Sequence, residues 1–158
     1  MAWLSSILMM KMIAEVYKHQ NGDNFHSILY CVEVDGSVNR SVTDTLLEVV
    51  SEMHAWEIEE VEGLFLKAER GDYVPDNPDL PDWGVNDKFV WLGRSDIERG
   101  YILISNEYSE DFSSEFGAPQ LFSMGQFRAA FKFWVEFQEL CKLKGKENMV
   151  GEKVYGVL

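Results

Sequence analysis

The residues of this chain that could do chemistry are its carboxylates. Asp44, Glu48 and Glu52 recur every four positions, Glu57, Glu59, Glu60 and Glu62 follow closely, and Asp72, Asp76, Asp79, Asp82 and Asp87 are interleaved with Pro75, Pro78 and Pro81. Carboxylates in such numbers can ligate a cation, act as an acid–base pair, or pair with the Lys and Arg of another macromolecule. Calcium fits poorly: Asp76, Asp79 and Asp82 recur at every third position, whereas a calcium loop offers oxygens at alternate positions and a closing Glu. A glycosidase-like pair needs two carboxylates singled out by their surroundings, and nothing in the sequence selects two. Pairing with a cationic partner remains, and it predicts no metal and no cofactor.

The other reactive residues carry no motif. His19, His26 and His54 each have a structural explanation as residues near element ends. Nucleophile-elbow, zincin and phosphate-loop signatures do not occur. Cys31 and Cys141 are too far apart in sequence for Cys-x-x-Cys chemistry, and both lie in apolar runs, which predicts two buried free thiols. The chain is therefore read as a non-enzyme.

Charge supports that reading. Across 158 residues, 14 Lys and Arg oppose 27 Asp and Glu, a net of −13. Residues 41–120 hold 19 acidic and five basic residues, net −14, so the whole excess lies in the middle of the sequence. Such a stretch repels phosphate backbones and attracts basic surfaces, which excludes nucleic acid as a partner. Aromatic residues accompany the acids: Tyr73 and Trp83 in the proline segment, and Tyr108 and Phe112 beside Glu107, Glu110, Asp111 and Glu115. Rings set among charges are common anchors of protein interfaces. The predicted partner-binding set is Asp44, Glu48, Glu52, Glu57, Glu59, Glu60, Glu62, Asp72, Tyr73, Asp76, Asp79, Asp82, Trp83 and Asp87.

The elements that must carry these residues read as one α+β domain over 1–158, with two or three helices packed on one face of a mostly antiparallel sheet. The apolar spacing of residues 3–17 predicts a helix, with a short helix leading into a strand as the alternative. Phe25–Val34 reads as a strand ending in a turn at Asp35-Gly36. Thr43 is the candidate N-cap of a helix over 44–53 that would display Asp44, Glu48 and Glu52. Trp56–Glu59 alternates as a strand does, and Leu64–Leu66 reads as a second strand. Residues 71–87, rich in Pro and Asp, form a surface loop. Phe89–Leu92 and Tyr101–Ile104 read as strands joined by a polar hairpin connection. Ser123 with Gln126 is a capping box opening a helix to about Lys144, with Arg128, Lys132, Glu139 and Lys142 on its solvent side and Gly145 as its stop. Residues 145–158 form an edge strand or a loose tail. The N-terminal apolar run lacks a basic leader and breaks at Lys11, so neither a signal peptide nor a spanning helix is expected; the predicted location is cytoplasmic, with no membrane partner.

The stretches Gly100–Glu107, Phe116–Pro119 and Phe127–Trp134, in a small acidic chain poor in cysteine, resemble in type the immunity proteins of bacterial contact-dependent inhibition and other polymorphic-toxin systems. The resemblance implies a cytoplasmic antidote that occludes the active site of a cognate basic toxin, such as a nuclease domain. The sequence leaves two other readings open, a DNA mimic that inhibits a DNA-binding enzyme and a small enzyme without a recognisable motif.

Overall fold

In the computed structural model of the chain, residues 10–106 and 119–158 are described. The fold is α+β with two antiparallel sheets. The backbone divides into two compact units, Met1–Ser51 with Arg128–Leu158, and Glu52–Phe127.

In the first unit, β1 (Lys11–Lys18) lies between β2 (Phe25–Val32) and β7 (Lys153–Val157), antiparallel to both. The helix expected over 3–17 is thus corrected from Lys11 onward, and residues 3–9 lie outside the described residues. The reason is visible in the pattern. Met12, Ala14 and Val16 alternate along the buried face, but Ile13 and Tyr17 also fit a helical repeat, and pairing on both sides decides in favour of the strand. Residues 153–157 are an edge strand, and Leu158 N–H donates to Met10 O at 3.1 Å.

A helical segment follows β2 in three pieces, α1 (Arg40–Val42), a π-turn (Thr43–Leu47) and α2 (Glu48–Ser51). It begins earlier than expected. Asn39 is the cap, its Oδ1 accepting from Val42 N at 3.0 Å, while Thr43 Oγ1 accepts from Cys31 N at 2.9 Å and so fastens the segment to β2. Leu46, Leu47, Val49 and Val50 are fully buried.

In the second unit the expected strands at Trp56–Glu59 and Leu64–Leu66 are replaced by a 3-10 turn (Ala55–Glu57) and α3 (Ile58–Arg70). Val61, Phe65 and Ala68 are its buried residues, spaced four and three as one helical face requires. That spacing outweighs the short alternation Trp56–Glu59, and Gly63 sits in mid-helix at a cost of about 1 kcal/mol relative to alanine. Gly71 stops the helix at φ 77°, its N–H donating to Ala68 O.

The rest of the second unit is a meander of β3 (Trp83–Val85), β4 (Lys88–Trp91), β5 (Tyr101–Asn106) and β6 (Gln120–Ser123) in sequential order. The two apolar runs read as strands do form the central pair, with Val90 opposite Ile104. α4 (Met124–Lys144) follows. Its start is the expected capping box: Gln126 N donates to Ser123 Oγ and Ser123 N to Gln126 Oε1, both at 3.0 Å. Of the residues that the helical spacing turns toward a core, Phe127, Ala130, Phe131, Trp134, Phe137 and Cys141 are buried and Leu140 is half-buried. Lys132, Glu139 and Lys142 are exposed, whereas Arg128 is half-buried. Gly145, at φ 85°, donates to Cys141 O and ends the helix.

Ser123→Ala and Gln126→Ala should each lower stability by about 1 kcal/mol, and the double variant should lose less than the sum because the two bonds form one reciprocal unit. Urea unfolding followed by circular dichroism checks this.

Candidate functional site

A candidate site has to be positioned by something, and in the second unit Asp82 does this. Its carboxylate is 2% exposed and accepts from Leu92 N at 2.7 Å, Arg94 Nη1 at 2.6 Å and the Tyr73 hydroxyl. The Arg94 guanidinium, 10% exposed, also donates to Leu92 O at 2.6 Å and to Leu80 O, and lies over the Trp91 ring at 5.3 Å. A buried charge pair is tolerated only when its remaining hydrogen-bonding positions are largely filled; here Leu92 N, Leu92 O, Leu80 O and the Tyr73 hydroxyl fill several, and the buried Arg94 Nε has no partner. The pair ties both ends of the proline segment to the β4–β5 connection. Burial, followed by the hydrogen bond to Asp82 and the charge of Asp82, pushes the Tyr73 phenol up to about 12.

Three of the predicted partner-binding residues make internal contacts here. Asp82 and Tyr73 are committed to each other inside the unit. Trp83 is half-buried and packs against Phe65 and Phe127, with ring centroids 6.2 and 6.1 Å away. Asp82 and Trp83 still line a groove, whereas Tyr73 does not.

What Trp83 helps to form is a groove of about 370 Å³. All three residues of β3 line one side, together with Asp82; Glu52, Met53, His54, Glu57, Glu60, Val61 and Leu64 line the rest. The helical period explains which acids reach it. With about 100° per residue, Glu60 and Leu64 share one flank of α3, in line with Glu57 on the turn before it, while Glu62 lies on the other flank and Glu59 is exposed. The groove therefore collects Glu52, Glu57 and Glu60 and leaves Glu59 and Glu62 outside. Glu57 also accepts from His54 N at 2.6 Å, which fixes the turn before the helix. On that turn the His54 and Trp56 rings stack at 6.0 Å with 10° between planes, and Trp56 is 73% exposed.

The remaining predicted residues do not join this groove. Asp44 and Glu48 belong to the first unit, where with Ser27, Thr43 and Ser51 they line a groove of about 330 Å³. Asp72, Asp76 and Asp79 are exposed along the proline segment, and Asp87 lies 3.6 Å from Lys88 Nζ. Glu107, Tyr108, Glu110, Asp111, Phe112 and Glu115 lie outside the described residues. Trp56 and His54 were missed as site residues because Trp56–Glu59 was read as a strand; once Glu57, Glu60 and Leu64 are placed on a helix flank, a large ring just before them stands out.

The charge is even more confined than the sequence segments suggested. Residues 52–127 contain 17 acidic and 5 basic residues, net −12, so the other unit carries −13 + 12 = −1. Of the five cations, the Arg94 and Lys88 side chains are each 10% exposed and bonded internally, Arg94 to Asp82 and Lys88 to Asn106. Among the described residues no group of three or more His, Cys, Asp or Glu could hold a metal ion, and no helix is long and apolar enough to cross a membrane. Cys31 and Cys141 are free and buried; burial, reinforced by the charge of Glu33, raises the Cys31 thiol to about 11, and burial raises Cys141 as well. Neither has the low pKa of a reactive thiol. In comparisons with protein families, curated proteins and solved structures, nothing matches this chain.

Asp82→Asn leaves Arg94 buried with its charge uncompensated and should cost about 3–5 kcal/mol in urea unfolding. The phenols of Tyr73 and Tyr30 are both raised to about 12 from 10.0. Their folded forms hold protons that the unfolded chain gives up first, so the stability they add is complete below pH 10 and declines as pH rises through 12. Ultraviolet titration should show two late phenols, and Tyr73→Phe should remove one of them.

Proposed function

We propose that this chain is a binding protein that neutralises a basic protein by covering its working surface, as the antidote of a cognate toxin domain does. The observation that carries the reading is the confinement of net −12 to residues 52–127, where two of the five cations are taken up internally. Self-repulsion of that size costs stability, and an acidic field of this kind both keeps the chain soluble and steers and holds a cationic partner. Exposed Trp56, stacked on the groove residue His54, offers the large ring that an interface anchor needs. On this reading the protein works in the cytoplasm, where a toxin domain would act, and occlusion is electrostatic and steric, with no covalent step.

The test pairs the chain with basic toxin domains encoded beside its gene and measures both host protection and association kinetics. Glu52→Lys, Glu59→Lys and Glu60→Lys together, all at exposed positions, should slow association at least about tenfold and flatten its dependence on salt, while the fold is retained. Full protection and unchanged kinetics in this variant would overturn the reading. Competition by duplex DNA for the same target would favour a DNA mimic instead.

A further inference from the structure

We infer that the groove in the second unit receives an extended basic segment of the partner, which adds to the free edge of β3 as a fifth strand. The inference rests on the binding role proposed above and names the chemistry of the contact. Three observations carry it, all within residues 52–127.

First, the strand order β3-β4-β5-β6 leaves β3 at the edge of its sheet, and among the described residues no strand pairs with its outer side. An open edge presents unpaired backbone donors and acceptors, and an extended chain is the ligand that satisfies them in register. Second, the groove runs along that edge: Trp83, Gly84 and Val85, the whole of β3, line it. Third, the opposite wall is chemically selective. Glu52 and Glu60 are exposed there, Glu57 lies beside them, and Met53, Val61 and Leu64 supply apolar surface between the carboxylates.

A strand entering this space turns alternate side chains to opposite sides. On the side turned toward the wall, Lys or Arg meets Glu52, Glu57 and Glu60 while apolar residues meet Met53, Val61 and Leu64. Gly84, in the middle of β3, makes room for the Phe89 ring of β4, which a Cβ there would approach to 3.2 Å. An acidic segment is rejected by the wall, and a helix cannot pair with the edge, so the occupant is an extended stretch in which basic and apolar residues alternate.

The test uses the full chain and a short acetylated, amidated peptide alternating lysine and valine, followed by amide hydrogen exchange and by nuclear magnetic resonance of the backbone amides. Three controls accompany it: the same peptide methylated on alternate backbone nitrogens, a threonine–valine peptide without charge, and the Glu52→Gln, Glu60→Gln variant. The expected result is slowed exchange at those amides of β3 that point away from β4, which alternate along the strand, with the basic peptide, no slowing with the methylated or uncharged peptide, and about tenfold weaker binding to the variant. Equal binding of the methylated peptide would reduce the contact to charge attraction; it would overturn strand addition and leave the broader binding role standing. No salt-sensitive binding of either basic peptide would overturn strand addition, and loss of host protection by the intact protein, measured separately, would decide the fate of the broader role.

Discussion

The buried pair of Asp82 and Arg94 is the constraint on which the second unit depends. A segment with three prolines cannot hold itself in place by regular backbone pairing. Here it is fastened instead by one carboxylate that collects Leu92 N, the Tyr73 hydroxyl and Arg94, while Arg94 returns to Leu80 O and Leu92 O. The consequence reaches the groove directly, because Asp82 is followed at once by β3. Holding Asp82 against the β4–β5 connection sets where Trp83 packs and where the sheet edge runs.

This arrangement shows how one kind of residue serves two purposes. Within the same acidic stretch, Asp82 is drawn inside and fully bonded, whereas Glu52 and Glu60 remain exposed on the groove wall. The difference is local: Asp82 has a cation and two backbone or hydroxyl donors within reach, and desolvation is offset. The exposed acids keep their water and contribute to the field of the unit, which also carries Glu59, Asp72, Asp76 and Asp79 at its surface. Net charge read from sequence counts both sorts equally and cannot tell them apart.

What the sequence made legible follows the same divide between local and distant causes. The capping box at Ser123 and Gln126, the glycine stop at Gly145 and the central strands β4 and β5 depend on neighbours in the chain, and each was readable. The start of the helical segment was misplaced because Thr43 has the side chain of a cap but is used by Cys31, far away in sequence. β1 was obscured because its two faces are both partly apolar, and α3 because four residues, Trp56–Glu59, imitate strand alternation. For the candidate site, the abundance of acids is plain in the sequence, yet the grouping of Glu52, Glu57 and Glu60 with Val61 and Leu64 requires the helix phase. The separation of Asp44 and Glu48 into another unit required the tertiary structure.

The two sheets differ in how far apart their partners lie along the chain. The four-stranded sheet joins only successive strands, whereas β1, near the start of the described residues, pairs with β7, which pairs Lys11 with Val157. Closing so long a loop is entropically slow, and nearby pairings form first. During synthesis the acidic unit can mature while the hairpin of β1 and β2 still waits for its third member. Until β7 emerges from the ribosome, β1 presents an uncovered margin of backbone, so the nascent chain is most exposed to wrong pairing in its least charged part.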